Sequence, residues 1–238
     1  MLEESVLVVA HPDDEVLWFG SILPHVGRII IAFKEYDAVA GLGQRRADAM
    51  AELPYKNLTC LDIPEAGSLK CADWDHPVPT EYGLALTASD APRQRYEENF
   101  AALRSALSAT LRPGTEIYTH NPWGEYGHED HVQVYRVLES LSATLGLRLW
   151  TSHYYGARSA TLAGRYRPPS LPPARTLPID RTYARHISEI YQRHDCWTWT
   201  PDWVWPETES FLPAPFRESR QDESGWCEGL RFVESDFQ

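Results

Sequence analysis

Apolar residues fall along this chain in two rhythms. Short unbroken runs rich in β-branched residues, SVLVVA at 5–10 and GRIIIAF at 27–33, have the length and composition of strands buried on both faces. NLTCLDIP (57–64), TEIYTH (115–120) and LRLWTSHYY (147–155) complete a set of predicted strands. Between them, apolar positions recur near the helical period. DDEVLWFGSILPHV (13–26) has room for a short helix, and GQRRADAMAEL (43–53) predicts one stopped by Pro54. RQRYEENFAALRSALSATL (93–111) predicts a third, ending before Pro113, and EDHVQVYRVLESLSATL (129–145) a fourth. Strands alternating with helices of this length predict a Rossmann-like, three-layer α/β/α fold with a mostly parallel sheet and right-handed crossovers.

Beyond about residue 160 the alternation fades. Residues 1–160 are expected to form the α/β core, and 161–238 a Pro- and Trp-rich extension packed on it within the same domain. RYRPPSLPPARTLP (165–178) is read as an extended connection, and YARHISEIYQRH (183–194) as a helix. CWTWTPDWVWPETESF (196–211) then gathers Trp197, Trp199, Trp203 and Trp205. This segment reads either as an irregular aromatic layer on the domain or as a wall for a sugar ring or apolar group.

A length of 238 residues suits one large domain or one domain with appendages. The net charge of -12 argues against a duplex nucleic-acid partner and against docking on anionic lipid. Cys60, Cys71, Cys196 and Cys227 form no CxxC pair and no structural-zinc spacing, so a reducing compartment is expected. The N-terminus lacks a basic n-region, and no run approaches the roughly 20 apolar residues of a membrane span. The expected location is the cytoplasm, without membrane insertion, and the composition is compatible with an oligomer.

Candidate chemistry sits where strands end. In an open α/β sheet, ligands bind beyond the carboxyl ends of the strands. HPDDE (11–15) follows the first strand directly. An Asp pair there could simply cap a helix, but a cap needs one acid, not three. Imidazole plus carboxylate, as in His11 and Asp14, is a metal-ligand pair, and a second carboxylate beside it could serve as a base. A divalent cation would also relieve the repulsion among the packed acids. The second cluster, NPWGEYGHEDH (121–131), follows the strand TEIYTH and opens on the same sheet edge. His128 and His131 share one helix face there. A catalytic zinc commonly takes three protein ligands, which His11, Asp14 and one histidine of HEDH would supply. His120, at the strand end, is the rival and ranks below His131.

AHPDDE and the distant GHEDH together resemble the LmbE-like, or PIG-L-like, zinc-dependent N-deacetylases. QRRADAMAEL, LDIPEAG and the stretch leading into GHEDH extend the likeness over residues 1–150. The resemblance implies a zinc-dependent hydrolase that removes acetyl from an N-acetylated amino sugar or glycoconjugate. It implies His11, Asp14 and His131 as metal ligands and Asp13 as general base. It further implies His128 as the group that stabilises the oxyanion or assists the leaving amine, with Asp130 orienting His128. Arg45, with Arg46 adjacent, resembles the family's substrate-contacting arginine. Trp123, Tyr126, Trp197 and Trp199 are candidates to stack on a sugar face. The alternatives are a metal-dependent hydrolase of another amide or ester, and a noncatalytic sugar- or nucleotide-binding module. The second is disfavoured because HPDDEVLWFG is acidic and lacks GxGxxG.

Overall fold

The computed structural model describes residues 2–167, 175–218 and 230–234. In chain order its elements are β1 (Val6–Val9), α1 (Asp14–Phe19), β2 (Arg28–Phe33), α2 (Leu42–Glu52) and β3 (Leu58–Ile63). Then come a small ribbon of β4 (Pro79–Thr80) and β5 (Gly83–Leu84), α3 (Asp90–Thr110), β6 (Glu116–Thr119), α4 (Glu129–Leu145) and β7 (Arg148–Ser152). The remainder is β8 (Tyr154–Gly156), α5 (Ala160–Ala163), β9 (Tyr166–Arg167), β10 (Arg175–Pro178), α6 (Arg181–Arg193), β11 (Thr208–Pro213), β12 (Arg217–Glu218) and β13 (Arg231–Val233).

The central sheet has seven strands in the order β10-β11-β7-β6-β1-β2-β3. β3, β2, β1, β6 and β7 run parallel, while β11 and β10 pair antiparallel at one edge. Alternation along the strands builds two cores. Leu7, Val9, Ile29 and Ile31 face the side covered by α1, α2 and α6. Val8, Ala10, Ile30 and Ala32 face the side covered by α3 and α4, through Leu103, Leu107, Val134 and Leu138. The expected three-layer α/β/α fold with a mostly parallel sheet is what forms.

β1 has β2 on one side and β6 on the other. The chain therefore leaves β1 in one direction and returns to β6 in the other. This is the point where an open sheet leaves a crevice at its carboxyl edge. Both HPDDE and GHEDH emerge there.

Two readings of the chain change. LRLWTSHYY is not one strand: it breaks at His153, and β8 leaves the central sheet to pair in parallel with β13. The tail is also less irregular than expected, because Arg175–Pro178 and Thr208–Pro213 extend the sheet. Phe211 anchors that edge, stacked on Phe19 and edge-on to Tyr118. The prolines at 168, 169, 172 and 173 of the predicted connection lie outside the described residues. Among the described residues, no helix is long and apolar enough to cross a membrane, and Cys60, Cys71 and Cys196 are free thiols.

Candidate metal centre

The first half of the site is the turn after β1. The His11 amide donates to Asp14 Oδ2 at 2.7 Å, closing the turn. Asp13 takes a left-handed backbone (φ 97°) that a non-glycine residue rarely adopts. Its amide donates to Glu15 Oε2 at 3.0 Å. Asp13 makes no side-chain cap bond to α1. Its carboxylate instead accepts from the Thr198 amide at 2.8 Å and the Thr198 hydroxyl at 2.7 Å, both on Oδ2. Glu15 is buried beneath this turn and accepts from the hydroxyls of Tyr191 (2.7 Å) and Tyr55 (3.2 Å). Burial pushes its carboxyl up to about 8.

The second half is the loop from β6 into α4. Asn121 Oδ1 accepts from the Trp123 and Glu125 amides, and Gly124 turns with φ 68° where a Cβ would lie 2.5 Å from the His128 carbonyl. This folding inserts Glu125 fully into the interior. Its Oε2 lies 2.9 Å from His120 Nδ1 and 2.7 Å from His131 Nδ1. Burial opposes its charge, but the two imidazoles outweigh burial and hold its pKa down near 2. An ionised carboxylate only accepts, so both rings donate from Nδ1. His120 Nε2 then accepts from the Ala10 amide at 2.9 Å, which uses its other nitrogen. His131 Nε2 has no hydrogen-bond partner among the described residues, although it is buried, and it stands 3.2 Å from Asp14 Oδ1. His128 caps α4, its Nδ1 accepting from the Asp130 amide at 3.1 Å.

The two halves meet at Asp14. His11 Nδ1 lies 3.2 Å from Asp14 Oδ2, and ligand atoms of His11, Asp14 and His131 all fall within 4.8 Å of one another. His11, His128 and Asp130 form a second such group sharing His11. The indole N–H of Trp18 donates to Asp14 Oδ1 at 3.1 Å. Burial works against charge on His131, yet Asp14 and Glu125 raise its pKa to about 9. For His11, Glu65, Asp130 and Asp14 overcome burial in the same way, reaching about 10. The pocket thus favours positive charge where the imidazole nitrogens converge. Two imidazole nitrogens and a carboxylate, one nitrogen orphaned, are a donor set suited to a divalent cation.

Other expected site residues fall differently. The Asp130 carboxylate does not orient the His128 ring: it lies 3.1 Å from His11 Nε2 and accepts from Ser68 Oγ at 2.6 Å. Only its backbone meets His128, because His128 occupies the cap position. Arg45 turns away from the centre, its Nε donating to the Asp195 carbonyl at 3.0 Å. Arg46 is the buried one, bonded to the Lys34 carbonyl and Glu65, and its Nε has no partner among the described residues. Trp123 is no sugar platform, being fully buried with its indole N–H on the Tyr154 carbonyl at 2.7 Å. Tyr126 does border the centre, its ring 5.5 Å from His131 and 5.9 Å from His128. Trp199 packs against Trp18 and Tyr126, and Trp197 near Trp205, so both belong to the aromatic layer. Sequence reasoning missed Glu125 and Thr198. An acid inside the GEYGHEDH loop, followed by His131, was the one available signal for Glu125.

The α/β fold is shared with solved structures of deacetylases. It superimposes on the deacetylase–teicoplanin complex of teicoplanin biosynthesis with a TM-score of 0.54, at 14% identity, covering 91% of this chain and 100% of that one. The zinc-inhibited form of teicoplanin deacetylase gives 0.52 at 14% identity, covering 92% and 100%. In sequence, the chain is 27% identical over 157 residues to the 1D-myo-inositol 2-acetamido-2-deoxy-alpha-D-glucopyranoside deacetylase of Corynebacterium kroppenstedtii. The match covers 58% of this chain and 40% of the relative, less than half of the relative's length. No family model matches the chain. The chain is thus similar in sequence to one sugar-conjugate deacetylase over part of that protein's length, and similar in fold to the teicoplanin deacetylase structures.

Proposed function

We propose that this protein is a divalent-metal-dependent N-deacetylase of an N-acetylated amino sugar or sugar conjugate, with zinc as the metal. The carrying observation is His131 Nε2: buried, without a hydrogen-bond partner among the described residues, and facing Asp14 beside His11. The named activity of the Corynebacterium relative supports the bond type and the sugar. In this reading His11, Asp14 and His131 hold the ion, and Glu125, accepting from His131 Nδ1, fixes that ring with Nε2 toward the ion. When bound, the cation polarises the acetyl carbonyl and lowers the pKa of water in its shell toward about 7.

The chain's own groups divide the remaining work. Burial, with the adjacent Asp14 charge, pushes Asp13 up to about 7, so it can take a proton near neutrality and give it back. His128 is neutral, because burial and the neighbouring His11 lower its pKa well below the usual value. Its Nδ1 accepts a backbone N–H, so its own proton sits on Nε2. A neutral Nε2–H donates to the oxyanion but is a poor proton source for the leaving amine. Asp13, having taken the proton from water, is assigned that delivery. Tyr126 lines the same side as a wall against the acetyl or sugar.

The test is acetate release from a panel of N-acetylated amino sugars and their conjugates, with and without a chelator. Chelator-sensitive release, restored by zinc, is the expected result. Release unaffected by complete metal removal overturns the metal reading. Silence across the panel with zinc bound overturns the N-acetyl sugar. His131→Ala should purify with less metal by elemental analysis, and full occupancy would remove His131 from the ligand set.

A further inference from the structure

We propose that Thr198 is a positioning residue for Asp13, and that the Trp-rich segment carrying it is part of the reaction centre. The inference rests on the deacetylase reading above. In the sequence this segment reads only as an aromatic layer or a wall for a sugar or apolar group, and Thr198 lies 185 residues beyond Asp13.

Both Thr198 donors, the amide at 2.8 Å and the hydroxyl at 2.7 Å, converge on one oxygen, Asp13 Oδ2. Asp13 Oδ1 makes no hydrogen bond among the described residues. One oxygen is thus anchored, and the other is left for a proton. On the opposite side Glu15 holds the Asp13 amide at 3.0 Å and with it the left-handed backbone. Asp13 is therefore fixed through its main chain from α1 and through its side chain from the tail. Without the second anchor, a carboxylate beside Asp14 could rotate toward the cation and become a ligand, leaving no base.

The segment is built to present Thr198 rigidly. The Cys196 amide donates to the Tyr191 carbonyl at 3.1 Å, tying the segment to the end of α6. The Trp197 indole closes a turn onto the Thr200 carbonyl at 3.1 Å. Trp199 packs edge-on to Trp18 at 5.1 Å between ring centres, and the Trp205 indole donates to the Val16 carbonyl at 2.6 Å. Trp18 in turn bonds Asp14. The aromatic cluster thereby sets the distance between Thr198 and the paired carboxylates. Thr198 itself remains solvent-exposed, so changing its side chain leaves the core intact.

The experiment compares Thr198→Val, which keeps the shape and loses the hydroxyl donor, with Thr198→Ser, which keeps the donor. Steady-state acetate release is measured alongside zinc content and melting temperature. Thr198→Val should lower kcat by about tenfold or more, the scale of one hydrogen bond to a charged group, with KM and zinc content unchanged. Thr198→Ser should stay within about twofold of the parent. A Val variant at parental kcat overturns the proposal, as does a Ser variant as impaired as Val, or a change confined to KM or melting temperature. If the parent itself releases no acetate from any substrate, the deacetylase reading fails and this proposal with it. An active parent with an indifferent Val variant sinks only the role of Thr198.

Discussion

Asp13 and Asp14 are neighbours in the chain and opposites in charge behaviour. Burial penalises both carboxylates. Around Asp14 the imidazoles of His131 and His11 outweigh that penalty and hold it ionised. Asp13 faces a threonine and the Asp14 charge, so burial wins and its pKa climbs to about 7. Neighbouring carboxylates whose surroundings drive them apart in this way can divide ligand and base roles. Asp13→Asn should accordingly keep its zinc while kcat falls about a hundredfold or more; near-parental turnover would remove Asp13 as the base. Trp18→Phe should preserve the packing but lose the N–H on Asp14, lowering zinc affinity about tenfold in a chelator competition. Unchanged affinity would mean that Trp18 acts through packing alone. His11, Asp13, Asp14, His128 and His131 were legible as candidates because local spacing places them together on each side of the crevice. Glu125 was not, since its reach to two histidines exists only once the glycine-bent loop has formed. Arg46 was readable from helix phase, because it shares a buried face with Leu42 and Ala49, and Arg45 does not.

At the scale of elements, the unbroken β-branched runs and the helical-period segments predicted β1, β2, β3, β6 and the helices α2, α3, α4 and α6 close to their observed bounds. Burial on both faces explains the unbroken apolar runs of β1 and β2, whereas β3 lies at the sheet edge and is only half-buried. The misses lie where tertiary pairing decides. Whether Thr208–Pro213 is a strand depends on the open edge of β7, which local sequence does not announce. Glu209 marks that junction, accepting from the Ser21 amide at 2.8 Å and the Tyr154 hydroxyl at 3.1 Å while fully buried. Burial raises its carboxyl from 4.5 to about 7. A carboxyl raised on folding contributes stability that is present below its unfolded pKa and lost as pH rises through the folded one. The parent should therefore lose stability relative to Glu209→Gln as pH climbs from about 5 to 8, by roughly 2–3 kcal/mol in urea unfolding. A difference that stays constant across that range would show that the ionised carboxylate is not disfavoured at this junction.

Across the whole molecule, charge, metal and folding are linked. The chain carries a net charge of -12, and the crevice gathers several of its acids around paired imidazoles. Neighbouring carboxylates raise the pKa of His11 to about 10 and of His131 to about 9, favouring the protonated imidazoles in the metal-free crevice. These two positive charges occupy the place of the proposed dication. A ligand imidazole must be neutral, so zinc binding should expel about two protons per site at pH 7. Affinity should then rise with pH until those groups have titrated, and fall on acidification. Calorimetric titration in buffers of different ionisation enthalpy counts the released protons directly. Binding without proton release would mean that the two imidazoles are already neutral in the metal-free crevice, and loss of binding in His131→Ala then tests the ligand set separately. The folded crevice brings the proposed ligands together from two segments more than a hundred residues apart, a geometry the unfolded chain does not hold. Zinc should therefore also raise the melting temperature, by an amount growing with the logarithm of its free concentration. His131→Ala should blunt both responses together, because proton release and stabilisation originate in the same three side chains.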